Sequence, residues 1–92
     1  MSVTAHVLIK AKPDLINELA EAIAELEGVT AVYSVAGRYD LVAIVTAADN
    51  EALPDLIGGK IHKLPGIVDS ETLIAFRVYR RTDIEAGFSL GA

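Results

Sequence analysis

Val29-Thr30-Ala31-Val32-Tyr33-Ser34-Val35-Ala36-Gly37-Arg38-Tyr39-Asp40-Leu41-Val42-Ala43-Ile44-Val45-Thr46 is the stretch that decides the fold. Both halves are rich in β-branched and aromatic residues, and Gly37-Arg38 interrupts them. Two such runs joined through a Gly-X pair predict a tight β-hairpin, because Gly supplies the positive φ the turn requires. The strands fall at residues 29–36 and 39–46, with Val29, Ala31, Tyr33 and Val35 expected on one face.

Outward from the hairpin, each side repeats one pattern. On the N-terminal side, Leu15, Ile16, Leu19, Ile23 and Leu26 recur at helical spacing, with Asn17, Glu18, Glu21 and Glu25 largely away from them. Pro13 suits the first helical position, Asp14 complements the positive end of the helix, and Gly28 stops it. Before that helix, residues 3–10 alternate, with Val3, Ala5, Val7 and Ile9 on one face and Thr4, His6, Leu8 and Lys10 on the other. On the C-terminal side, Asp49 or Asn50 can cap a second helix carrying Leu53, Ile57, Ile61 and Leu64. Gly58-Gly59 weakens that helix by roughly 1 kcal/mol per residue relative to Ala. Pro65-Gly66 ends it, and residues 67–79 read as a long fourth strand.

The order β-α-β-β-α-β, closed by right-handed crossovers, predicts an α+β, ferredoxin-like domain. Its four-stranded antiparallel sheet carries both helices on one face. The domain is expected over residues 1–81. A tail at 82–92, with Ile84, Phe88 and Leu90 among Gly87 and Gly91, is expected to pack on its own or a neighbouring subunit. The other sheet face has nothing in the chain to cover it. In a chain of 92 residues that is 52 % hydrophobic, a second copy is the expected cover. The expectation is an obligate dimer that assembles further.

Composition narrows the function. No apolar run approaches the ~18–20 residues of a membrane span, and the N-terminus lacks the features of a signal peptide. There is no Cys, so no thiolate metal site or thiol nucleophile exists, and a reducing, cytoplasmic setting fits. A net charge of −5 makes an independent DNA contact unfavourable, and Arg77, Arg80 and Arg81 read as a solvated strand end. His6 and His62 lie on different elements without ligand spacing, so no metal is expected. Gly58-Gly59-Lys60 fails the phosphate-loop pattern at positions 54 and 61. Ser34, Ser70 and Ser89 have no His nearby in sequence and no nucleophile-elbow context.

Two segments remain as site candidates. Gly37-Arg38-Tyr39-Asp40 lies at the hairpin, and residues 65–72 enter strand four with Ser70, Glu71 and Thr72. Both offer polar groups and accessible backbone at strand ends. A purely structural role is the competing reading: Gly makes the turn, Asp satisfies turn amides, and Ser and Thr suit a strand.

The run Tyr33 to Val42, the acid-capped helix, Leu64-Pro65-Gly66-Ile67-Val68 and Glu71-Thr72-Leu73 together resemble the effector-binding domain of the Lrp/AsnC family. That module is also called the regulation-of-amino-acid-metabolism domain, and the resemblance runs from about Val3 to Tyr79. It implies a ferredoxin-like fold, dimers formed by facing sheets (a dimeric α/β barrel), rings of dimers, and amino acids bound at subunit interfaces. Because strand one begins at Val3, the helix-turn-helix of full-length members is expected to be absent, as in a stand-alone version. The resemblance carries over ligand binding to Gly37, Tyr39 and Asp40 and to Ser70 and Thr72, with Arg38 inside the motif at a variable position.

The resulting expectation is an oligomeric effector module without catalytic residue, metal or cofactor. It would bind a free amino acid, and would modulate transcription through a helix-turn-helix relative. A small dimeric α/β-barrel enzyme, of monooxygenase or isomerase type, is the alternative that architecture leaves open. An ACT-type regulatory domain has the same element order, but Ala11-Lys12-Pro13-Asp14 lacks the Gly expected of its ligand loop.

Overall fold

A computed structural model describes residues 2–81 of the chain. The predicted tail at residues 82–92 lies outside the described residues. The elements are β1 (Val3–Ala11), α1 (Ile16–Ala24), β2 (Val29–Ser34), β3 (Leu41–Ala47), α2 (Ala52–Ile57) and β4 (Ile67–Ile74). All strand pairs are antiparallel, and the sheet order is β2-β3-β1-β4. This is the predicted ferredoxin-like βαββαβ arrangement.

Alternation on the two central strands creates the core. Ala5, Val7, Ile9 and Ala11 of β1, with Leu41, Ala43 and Val45 of β3, are buried on one face. Leu19 and Ile23 of α1, and Leu53, Leu56 and Ile57 of α2, complete the same cluster with Ile61. Burying each large aliphatic side chain stabilises the fold by about 1.5–3 kcal/mol, so this one face carries most of the stability. Cross-strand register puts Thr4, His6, Leu8, Val42, Ile44, Tyr33, Glu71 and Leu73 on the opposite face. No helix among the described residues covers them, and Tyr33 and Leu73 remain about half exposed, at 56 % and 49 %.

Several elements differ from the sequence reading. A 3₁₀ turn at Pro13–Leu15 precedes α1, so Pro13 opens that turn and the α-helix starts at Ile16. In β2 the register shifts between Val29 and Ala31: Val29 pairs with Val45 on the core face, whereas Ala31 pairs with Ile44 on the open face. The bulge at Thr30, whose Oγ1 donates to the Ile44 carbonyl at 3.0 Å, therefore separates residues expected to share a face.

The hairpin is wider than a two-residue turn. The Val35 N–H donates to the Asp40 carbonyl at 3.0 Å and encloses residues 36–39. The helical pattern 53–64 is broken at its glycines. Here α2 stops at Ile57, and a 3₁₀ turn, Ile61–Lys63, carries the pattern on. Asp49 caps the segment as expected, its Oδ1 accepting from the Ala52 N–H at 3.0 Å. Strand β4 ends at Ile74 rather than at residue 79: with Ala5 opposite Ile74, the start of β1 at Val3 leaves the ladder no partner beyond residue 76. The Ala75 N–H still reaches the Thr4 carbonyl at 2.9 Å.

Candidate functional site

Asp40 closes the end of the β1–β3 ladder. Its N–H donates to the Ile9 carbonyl at 2.9 Å, and its Oδ2 accepts from the Ala11 N–H at 2.8 Å. Along β1, Ile9 and Ala11 point their backbone groups to the same side, so the carboxylate stands where the next ladder carbonyl would be. Ala11 is only 4 % exposed, so the bond satisfies a donor that water does not reach. Asp40 therefore has a structural task, and that task uses one of its two oxygens.

The loop it closes is open. Gly37 has φ +139°, a conformation that side chains disfavour, and no atom lies within 4 Å of where a Cβ would stand. Gly37 and Arg38 are exposed, while Tyr39 and Asp40 are half-buried. Backbone at the turn is thus accessible, as the sequence suggested.

Ser70 and Thr72 lie elsewhere. They pair with Ile9 and Val7 across the β1–β4 ladder and so point to the helix-bearing face. Ser70 Oγ lies 2.8 Å from His62 Nε2, in the 3₁₀ turn after α2. The Ser70 N–H donates to the Asp69 side chain at 2.9 Å. Ile9 is the residue common to both halves, with Leu41 beside it in β3 and Ser70 beside it in β4. Two strand spacings, about 10 Å, therefore separate the Asp40 side from the Ser70 side. An α-amino acid carries its ammonium and carboxylate on a single carbon. Within one chain the predicted residues fall into two separate groups and do not converge on a ligand of that size.

The contact between His62 and Ser70 is what sequence reasoning missed. His62 is eight positions from Ser70, beyond a Leu64-Pro65-Gly66 reversal in which Gly66 takes φ +103°. Only that reversal brings the pair together, and Ser70 thereby gains the His neighbour that its sequence context lacks.

Two surface depressions lie apart from these residues. A small apolar cleft of about 70 Å³ is lined by Leu15, Glu18, Leu19, Ala22, Leu64 and Pro65. A second, about 270 Å³, involves Ser2, Val3, Asn50, Ile74, Ala75 and Phe76. Among the described residues no group of three or more His, Cys, Asp or Glu is placed to hold a metal ion. No helix there is long and apolar enough to cross a membrane.

Comparison with known proteins places this geometry. The profile of the Lrp/AsnC ligand binding domain matches residues 4–84. An uncharacterised HTH-type transcriptional regulator of Pyrococcus furiosus is 34 % identical over 79 residues, which cover 83 % of this chain and 53 % of that protein. The leucine-responsive regulatory protein of Haemophilus influenzae is 29 % identical over 76 residues, covering 83 % of this chain and 46 % of that one. The chain thus spans about half the length of the curated relatives it matches. A crystal structure from Thermus thermophilus superposes with a TM-score of 0.82 at 49 % identity, covering 86 % of this chain and 99 % of that one. Escherichia coli AsnC superposes with a TM-score of 0.78 at 25 % identity, covering 85 % of this chain and 54 % of that one. The Pyrococcus relative is named a transcriptional regulator and the Haemophilus relative a regulatory protein, so the relatives named by function speak for regulation and against the dimeric-barrel enzyme alternative. An open hairpin, an uncovered sheet face and a match over nearly the whole described chain lead to one conclusion: this chain belongs to the Lrp/AsnC ligand-binding-domain family.

Proposed function

We propose that the chain is an oligomeric regulatory module that binds a free amino acid between subunits. The observation that carries the reading is the division of the candidate residues into two half-sites at one end of the sheet. The hairpin and Asp40 lie on one side of β1, and Ser70 and Thr72 lie on the other. A ligand too small to span them in one chain meets both only where two chains abut. One subunit would then supply Gly37, Arg38, Tyr39 and Asp40, with the second Asp40 oxygen accepting the ammonium. The neighbour would supply Ser70 and Thr72 to the carboxylate. Charge-assisted bonds of this kind contribute roughly 1.5–3 kcal/mol each.

The subunits would be dimers joined through their open faces and assembled further. Ligand binding favours that assembly by its differential affinity for it. A net charge of −5 argues against direct contact with nucleic acid, so any effect on transcription, in the cytoplasm, would pass through a helix-turn-helix relative.

A thermal-shift screen of the common L-amino acids tests the reading. A ligand at a hundred times its dissociation constant stabilises the folded state by about 2.7 kcal/mol. For a domain of this size that raises the melting temperature by roughly 10 °C or more. A melting temperature indifferent to every amino acid at millimolar concentration would refute the amino-acid assignment.

A further inference from the structure

The Ser70–His62 contact bears on how a ligand is read. We propose that His62 is a positioning residue of the effector site, donating its Nε2–H to Ser70 Oγ so that the Ser70 hydroxyl proton turns outward to a ligand carboxylate. The inference rests on the reading of Ser70 as a ligand residue.

A hydroxyl carries one proton and two lone pairs. At 2.8 Å the Oγ···Nε2 contact is a full hydrogen bond, and its direction fixes what the hydroxyl can offer a third group. With an Nε2 lone pair toward it, Ser70 donates to His62 and shows a ligand only lone pairs, which a carboxylate rejects. With Nε2–H toward it, Ser70 accepts from His62 and keeps its proton for the ligand. The second arrangement matches an anionic group, and polarisation along the chain Nε2–H···Oγ–H···carboxylate strengthens both bonds.

The backbone holds the serine in place for this. The Ser70 N–H is engaged by Asp69 Oδ1, and its strand partner Ile9 is fully buried. Thr72 lies two residues along β4 on the same face, so the two hydroxyls form a row that His62 polarises at one end. His62 is exposed and Ser70 half-buried, so a ligand reaches the pair from solvent or from an abutting subunit.

The test has two arms. In the first, nitrogen chemical shifts of the His62 ring are recorded without ligand. An Nε2-protonated ring whose Nε2 signal moves in Ser70→Ala is expected, whereas an Nδ1-protonated neutral ring overturns the proposal. In the second, the L-amino acid giving the largest thermal shift is titrated calorimetrically into the full chain and three variants. His62→Leu is expected to weaken binding about tenfold and Ser70→Ala at least as much. His62→Gln, whose amide can donate from a similar position, is expected to recover most of the loss. Unchanged affinity in His62→Leu overturns the role of His62 while the ligand site stands. If no amino acid binds the unmodified chain, the reading of the site and this inference fall together.

Discussion

Asp40 joins an observed structural task to a proposed ligand contact, and a sequence cannot separate the two. Its carboxylate takes the place of a ladder carbonyl for the Ala11 N–H, and the proposed ligand contact uses its other oxygen. The two roles predict different variants. Asp40→Ala leaves a buried N–H without an acceptor and should cost about 1–3 kcal/mol of stability, measured by urea unfolding. Asp40→Asn keeps a carbonyl oxygen for Ala11 and should lose less than about 1 kcal/mol. The same Asp40→Asn variant should weaken amino-acid binding by roughly one to two decades, since it removes the charge that meets the ammonium. If calorimetric titration finds Asp40→Asn binding as tightly as the unmodified chain, the residue belongs to the strand end alone.

Among the elements, α2 departs furthest from its sequence pattern, and its glycines explain why. A Cβ at Gly59 would collide with the Asp55 carbonyl oxygen, whereas one at Gly58 would stand 3.1 Å from the Pro54 oxygen. Both Gly58 and Gly59 N–H groups donate to the Pro54 carbonyl, at 2.8 and 3.2 Å, so the last turn widens to an i→i−5 bond and the helix ends there. Gly59→Ala should therefore destabilise the fold by about 1–3 kcal/mol, as expected when a methyl group is forced into filled space. Gly58→Ala should cost clearly less. Thermal melts of the two variants check the order, and an equal effect would mean the turn relaxes freely.

The same segment shows what periodicity conveys and what it does not. Leu53, Ile57 and Ile61 are buried as their spacing predicts, yet the helix joining them is interrupted. Spacing reports the buried side of a chain, and glycine contacts decide whether one helix presents it.

At the scale of the whole molecule, the sheet face that no helix among the described residues covers dominates. Its rows run Ala31–Ile44–His6–Leu73 and Tyr33–Val42–Leu8–Glu71 across all four strands. A surface of this kind calls for a partner, and the proposed partner is a second copy of the chain. Leu73 lies on the edge strand and is half exposed in the single chain, so a charge there leaves the monomer core intact. Leu73→Glu should convert the assembly to smaller species at micromolar concentration, with helix content retained by circular dichroism. An unchanged mass in light scattering would move the interface off this face.

The element order, the two faces of β1, and the presence of a hairpin bearing Gly37 and Asp40 were determined by the sequence alone, though not the width of that hairpin. Each is encoded locally, in the alternation of apolar residues, in capping groups and in the conformational freedom of glycine. Tertiary structure decided what depends on neighbours distant in the chain. Strand β4 cannot run to residue 79 because β1, which begins at Val3, offers no partner beyond residue 76. Val29 and Ala31 lie on opposite faces because β3 sets the register. Asp40 answers to Ala11, and Ser70 to His62, through hydrogen bonds that no spacing rule contains. Those contacts form only when the chain closes on itself, so side-chain partnership, unlike strand or helix type, became visible in three dimensions alone.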